Sequence, residues 1–278
     1  MPPRRLRLDA ELVRRGLARS REHAADLVAQ GRVKVAGVVA TKPATGVTTD
    51  VALVVVADPD RPDYVSRGGH KLAGALAVFG PLGLEVRGRR CLDAGASTGG
   101  FTDVLLRAGA AQVVAVDVGY GQLAWSLQSD ERVQVHDRTN IRELTPELVG
   151  LVDVVVGDLS FISLDLVLDA LVGVTEPTGD LALMVKPQFE VGKDRVGKGG
   201  VVRDLALRAE AVTTIDEAAA RRGWGAVAVT TSPLPGPSGN VEFFLWLRRG
   251  TTRLTGADIR AEVRRTQVPG VAGERVEE

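Results

Sequence analysis

The sequence predicts an α/β fold: a largely parallel sheet of seven strands covered by helices, preceded by a small α+β module. Three observations carry this reading. From residue 64 onward, short apolar runs alternate with amphipathic stretches, the order that a parallel sheet with crossover helices requires. A glycine-rich loop between Gly95 and Gly100 directly follows an apolar run. The first 42 residues hold ten Arg or Lys against four Asp or Glu, although the 278-residue chain balances 35 basic against 35 acidic side chains. The expected division is a module over 1–59, a linker over 60–65, a Rossmann-like domain over 66–250 and a charged tail over 251–278.

In the module, Leu8, Leu12, Val13 and Leu17 recur at helical spacing and Gly16 marks a turn. Ser20 is expected to cap a second helix that turns Ala24, Ala25, Leu27 and Val28 inward and ends at Gly31. Val33, Lys34 and Val35, an Ala36-Gly37 turn and Val38-Val39 alternate like a small hairpin, and a last strand is expected over 51–57. The segment 58–63 has the Asp/Pro composition of a linker. An arginine-rich module of this kind carries the charge of a phosphate-binding surface, or of a solvated helix face.

In the larger domain, strands are expected at 91–94, 113–117, 133–136, 152–158, 181–186, 225–231 and 242–247. Helices are expected at 68–79, 99–108, 122–127, 164–172 and 204–222, with one more in the tail at 257–265. Gly95 and Gly99 let the chain turn tightly and let a ligand approach the backbone where a helix begins. Asp117, at the end of the next strand, stands at the distance from which an acid binds a ribose hydroxyl. A nicotinamide dinucleotide loop would place glycine where this chain has Ser97. Gly192 to Gly199 has the spacing of a phosphate loop, but Gly199 stands where Ser or Thr would bind magnesium, so it reads as a basic loop that touches RNA or covers the site.

Composition narrows the rest. The N-terminal residues lack the apolar stretch of a secretory signal, and no eighteen-residue apolar run is present, so a cytoplasmic protein without a membrane role is expected. Cys91 is the only cysteine and reads as a buried, inert thiol. His23, His70 and His136 show no metal-ligand spacing, and neither a metal nor an obligate protein partner is expected.

Four charged residues stand at strand ends or core positions: Lys71 in the first helix of the domain, Asp158 and Lys186 ending neighbouring strands, and Glu242 opening the last one. Chemistry in open α/β sheets gathers at the carboxyl ends of parallel strands, and an antiparallel last strand would bring Glu242 to the same edge.

Asp93-Ala94-Gly95-Ala96-Ser97-Thr98-Gly99-Gly100-Phe101 resembles the first motif of S-adenosylmethionine methyltransferases. That likeness implies a cofactor held by Asp93, Gly95, Ser97, Thr98, Gly99 and Phe101, with Asp93 toward the methionine amine, Asp117 on the ribose, and Asp137 and Asn140 on the adenine. Arg-Leu-Asp, Gly-Leu-Ala, Gly-Arg-Val and Lys-Pro across residues 7–43 resemble the RNA-binding fold named after a small-subunit ribosomal protein. The larger domain resembles the FtsJ-like 2'-O-methyltransferases, which use a Lys-Asp-Lys-Glu tetrad, and more closely the TlyA family, through residues 66–72, 158–163, 186–190 and 239–242.

The resemblance implies catalytic roles for Lys71, Asp158, Lys186 and Glu242, with Lys186 as base or steering group, and methylation of cytidine 2'-hydroxyls in ribosomal RNA of the large and also the small subunit. The implied partners are ribosomal RNA and ribosomal subunits, met by Arg4, Arg19, Arg21, Arg32, Lys34, Arg67 and Lys193. Pro62-Asp63-Tyr64-Val65 departs from the Arg-x-Trp-Val-like linker of the family. The alternatives are a non-catalytic RNA-binding or ribosome-assembly factor, which would lose the tetrad or the loop, and a haemolysin-like membrane-active protein.

Overall fold

The computed structural model describes residues 5–56, 58, 62–236, 238–250 and 254–267, and the chain divides into two compact units at Asp63/Tyr64. In the first unit, β1 (Leu6–Arg7) leads into α1 (Leu8–Arg14) and α2 (Arg21–Ala29), followed by β2 (Val33–Val35), β3 (Val38–Val39), β4 (Gly46–Val47) and β5 (Leu53–Val55). The Ser20 side chain accepts from the His23 N–H and caps α2 as expected. The core is small, built on Leu8, Leu12, Leu27, Val28, Val33 and Val47. Two features differ from expectation. The β1–β4 pair was not foreseen, because two-residue strands carry no periodicity, and β5 is three residues long; Ala57, in the expected last strand, lies outside the described residues.

The second unit begins with α3 (Gly68–Phe79), β6 (Arg90–Ala94), α4 (Gly100–Arg107), β7 (Gln112–Val116), α5 (Trp125–Gln128), β8 (Val133–His136), α6 (Pro146–Val149) and β9 (Val152–Gly157). It continues through α7 (Asp165–Gly173), β10 (Thr175–Val185), α8 (Pro187–Glu190), α9 (Leu205–Arg221), β11 (Trp224–Thr231), β12 (Phe243–Arg249) and α10 (Gly256–Arg265). The seven strands order as β11-β12-β10-β9-β6-β7-β8, with β12 antiparallel to both neighbours and the pairs from β10 to β8 parallel. The sheet therefore has the mixed, seven-stranded form expected of the domain.

Strand alternation sorts the core into two layers. Leu92, Val155, Leu183 and Leu245 pack with α7 and α9, while Cys91, Val154, Ala182, Phe244 and Trp246 pack with α3 and α4. With both faces covered, the strands read as continuous apolar runs, which is why they were legible. β10 starts earlier than expected, at Thr175, because its register breaks between Thr175 and Asp180. α5 is shorter than expected and begins at Trp125, since 121–124 form the turn that buries Leu123. In the tail, α10 opens on a Thr255/Asp258 capping box.

Candidate active site

The parallel strands β6, β9 and β10 end at one edge of the sheet, and β12 begins there because it runs the other way. Val185 pairs with Phe243, so Lys186 and Glu242 follow each other across the next rung. Lys71 reaches the same point from the first turn of α3. The four groups form a chain of alternating charge: Lys71 Nζ lies 2.5 Å from Glu242 Oε2 and 3.9 Å from Asp158 Oδ2, and Lys186 Nζ lies 2.6 Å from Asp158 Oδ1. Lys71, Lys186 and Glu242 are buried, so each charge is held by its neighbours instead of water. Lys186 also donates to Ser160 Oγ at 2.8 Å.

A cleft of about 340 Å³ opens onto this chain, lined by Lys71, Asp158, Ser160 and Lys186 together with Gly95, Ser97, Thr98 and Phe101. Three of the four sequence-derived catalytic residues, Lys71, Asp158 and Lys186, thus meet the glycine loop in one cavity, while Glu242 is buried outside its lining and holds Lys71. Gly95 has φ +83°, and a Cβ there would come within 3.1 Å of the Asp158 carbonyl oxygen; at Gly99, φ +96°, it would strike Leu127 and Leu123. Neither position tolerates a side chain.

Asp93 does not line the cleft; it is fully buried beneath the loop. It alternates with Leu92 and Ala94 and so faces α4, where the Thr102 hydroxyl donates to Oδ2 at 2.7 Å. Oδ1 has no hydrogen-bond partner among the described residues, and burial pushes the Asp93 carboxyl up to about 7. Asp117 stands past the end of β7 and accepts from the Ser97 N–H at 2.8 Å and the Gly119 N–H at 2.6 Å. Past β8, Asp137 accepts from the Gly121 N–H, and Asn140 caps the turn Ile141–Glu143 through the Arg142 N–H. These three acids and amides sit at the same sheet edge but outside the cleft wall.

The basic residues are dispersed. Arg67 is exposed and lines the cleft, Lys193 is exposed in the Gly192 loop, and Arg19 and Arg21 are exposed around the start of α2. Lys34 is half-buried on β2, and Arg4 lies outside the described residues. Arg32 corrects its expectation: it is 7% exposed, its guanidinium grips Asp63 at 2.7 and 3.0 Å, and Nε donates to the Val56 carbonyl. Its donors are spent inside the unit, so it offers no free surface charge to RNA. The Gly192 loop forms two short 3-10 turns, Lys193–Arg195 and Lys198–Gly200, and α9 starts only at Leu205, unlike a phosphate loop. Burial pushes the Cys91 thiol up to about 12.

Several residues escaped sequence reasoning. Glu190 accepts from the Ser163 hydroxyl at 2.6 Å and the Leu164 N–H at 3.0 Å, tying the Asp158 loop to the Lys186 loop. Asn240 accepts from the Val202 N–H and donates to the Gly200 carbonyl, fastening the Gly192–Val202 stretch beside Glu242. A Cβ at Gly236 would lie 2.5 Å from Glu242 Oε1, so that glycine makes room for the carboxylate. Glu190 and Asn240 stood within recognisable segments, but their partners are 26 to 40 residues away and carry no local signal.

Residues 64–249 match the FtsJ-like methyltransferase family and residues 6–51 match the S4 domain. The chain therefore belongs to the FtsJ-like methyltransferase family and is a methyl-transferring enzyme with an N-terminal S4 domain. Within that family its similarity runs to TlyA proteins. It is 61% identical over 255 residues, covering 91% of this chain and 94% of the relative, to the 16S/23S rRNA (cytidine-2'-O)-methyltransferase TlyA of Mycobacterium tuberculosis strain H37Rv. It is 36% identical to Hemolysin A of Brachyspira hyodysenteriae, covering 86% of this chain and 98% of that one. A solved structure from Streptococcus thermophilus, described as a hemolysin, covers 95% of this chain and 96% of its own at a TM-score of 0.73 and 36% identity.

Proposed function

We propose that the chain is an S-adenosylmethionine-dependent 2'-O-methyltransferase that acts on cytidine riboses of ribosomal RNA, in the large subunit and also the small subunit. The observation that carries this reading is the Glu242–Lys71–Asp158–Lys186 chain, whose Lys71, Asp158 and Lys186 line the cleft that the Gly95–Gly100 loop shapes. The name of the Mycobacterium tuberculosis relative, at 61% identity, supports the nucleoside and both subunits.

The residues present fit this cofactor. Its cationic amine suits a site under which one buried carboxylate oxygen, Asp93 Oδ1, lacks a donor, and the side-chain-free Gly95 and Gly99 leave room for close approach. Asp117 would hold the ribose hydroxyls, and Asp137 and Asn140 the adenine, all at the same sheet edge. S-adenosylmethionine, when bound, supplies a sulfonium-activated methyl group. Lys186 and Asp158 orient the ribose oxygen, and much of the rate comes from holding it in line. Lys71 fixes Glu242 and Asp158 and balances their charge.

RNA is selected over DNA because the 2'-hydroxyl is the nucleophile. Phe161 adds a surface for an unpaired base: it is 91% exposed, adopts φ +64° three residues after Asp158, and leans on Phe189 with ring centroids 5.3 Å apart. Arg67, Lys193, Arg19, Arg21 and Lys34 would meet phosphates. No helix among the described residues is long and apolar enough to cross a membrane.

The test is transfer from tritiated S-adenosylmethionine to isolated small and large ribosomal subunits, comparing wild type with Lys186→Ala. Label at a cytidine 2'-hydroxyl in both subunits, absent with the variant, is the expected result. Cofactor binding without transfer to either subunit or to whole ribosomes would overturn the reading in favour of an RNA-binding factor.

A further inference from the structure

We infer that Ser160 is a positioning residue for Lys186: its hydroxyl and the Asp158 carboxylate hold the lysine nitrogen from two sides, leaving its remaining direction for the ribose oxygen in the cleft. This rests on the methyltransferase reading proposed above.

A lysine nitrogen has three directions besides its carbon. Asp158 Oδ1 at 2.6 Å takes one and Ser160 Oγ at 2.8 Å takes a second. Both partners are acceptors. The third direction carries an N–H when the group is an ammonium and a lone pair when it is an amine. Fixing two directions therefore aims the third in either protonation state, for steering a nucleophile or receiving its proton. Lys186 and Ser160 both line the cleft, so that third direction has a cavity to meet. With Asp158 alone, the nitrogen could rotate about its single ion pair.

Lys71 shows the contrast. It faces two carboxylates, Glu242 and Asp158, and its further neighbour is the Met184 sulfur at 3.9 Å, a weak acceptor. Lys186 faces one carboxylate and one neutral hydroxyl, with the Phe189 ring centroid 6.0 Å away, an arrangement suited to a group that must also engage substrate. The position of Ser160 is not left to loop motion. Asp158 precedes it just past β9 and pairs with Lys186, and after it the Phe161 ring rests on Phe189 and Glu190 accepts from Ser163 and Leu164, so the loop bearing Ser160 is fastened before it to Lys186 and after it to the segment that follows Lys186.

The experiment compares wild type, Ser160→Ala and Ser160→Thr in methyl transfer to isolated ribosomal subunits, with cofactor binding and thermal melting measured in parallel. Ser160→Ala is expected to lower kcat about 10- to 100-fold, with KM for cofactor and RNA changed less than about twofold and melting unaltered. Ser160→Thr, which keeps the hydroxyl, is expected to recover most of the rate. Unchanged kcat in Ser160→Ala overturns the inference, and so does a loss that threonine fails to rescue or that comes with lost cofactor binding. Absence of transfer by the wild type removes the functional reading instead, which distinguishes the two failures.

Discussion

Asp93 is a single buried carboxylate whose environment works against its charge. Its carboxyl is pushed up to about 7 by burial, with only Thr102 donating to it. In the unfolded chain an aspartate ionises near pH ~4, so the unfolded state gains from ionisation between about pH 4 and 7 while the folded state does not, and above that range the folded protein keeps the full penalty. Asp93→Asn is therefore expected to raise the melting temperature of the cofactor-free protein at pH 8 by about 2–5 °C, with the gain disappearing below about pH 4, and to weaken S-adenosylmethionine binding at least tenfold in calorimetry. Lower stability at pH 8 would refute this account. At Gly236 the constraint is space: the added methyl of Gly236→Ala meets Glu242 Oε1, at the carboxylate that holds Lys71. The expected outcome is a loss of kcat of at least tenfold, with cofactor binding retained, because neither Gly236 nor Glu242 lines the cleft with the glycine loop.

At the scale of elements, the site depends on how the loops after β9 and β10 are joined. Glu190 accepts from Ser163 and Leu164 at the start of α7, and burial raises its carboxyl above the ordinary range. Glu190→Ala should leave the two loops unregistered, lowering kcat about tenfold or more with little change in cofactor affinity, while Glu190→Gln, which can still accept from the Leu164 N–H, should fall between. Steady-state kinetics of both variants against the wild type decide it, and equal loss in both would assign the effect to charge. The elements themselves were readable because a sheet covered on both faces writes long apolar runs, as in Val154, Val155 and Val156, and because the Ser20 cap is a local signal. The β1–β4 pair and the early start of β10 were not readable, since two-residue strands and a register shift depend on distant partners.

Across the whole molecule, the division of labour is between a basic N-terminal unit and a catalytic unit. In the former, Arg7 and Arg21 hold Asp9, which sits at about 2 chiefly because of Arg7, yet Arg21 remains 60% exposed. Arg21→Ala is expected to weaken binding to ribosomal subunits and to reduce the slope of log affinity against log salt by about 1, without altering S-adenosylmethionine affinity. An unchanged salt slope would remove Arg21 from the phosphate contacts.

By itself the sequence determined the α/β order, the glycine loop, the basic N-terminal segment and the four charged residues of the tetrad, since each is written in local composition, periodicity or a strand end. Only tertiary structure decided that Asp93 lies beneath the loop, that Arg32 is consumed by Asp63, and that Ser160, Glu190 and Gly236 shape the tetrad. The reason is physical: a side chain's chemical type is fixed by its codon, but its partners and its exposure are fixed by residues tens of positions away that the fold brings beside it.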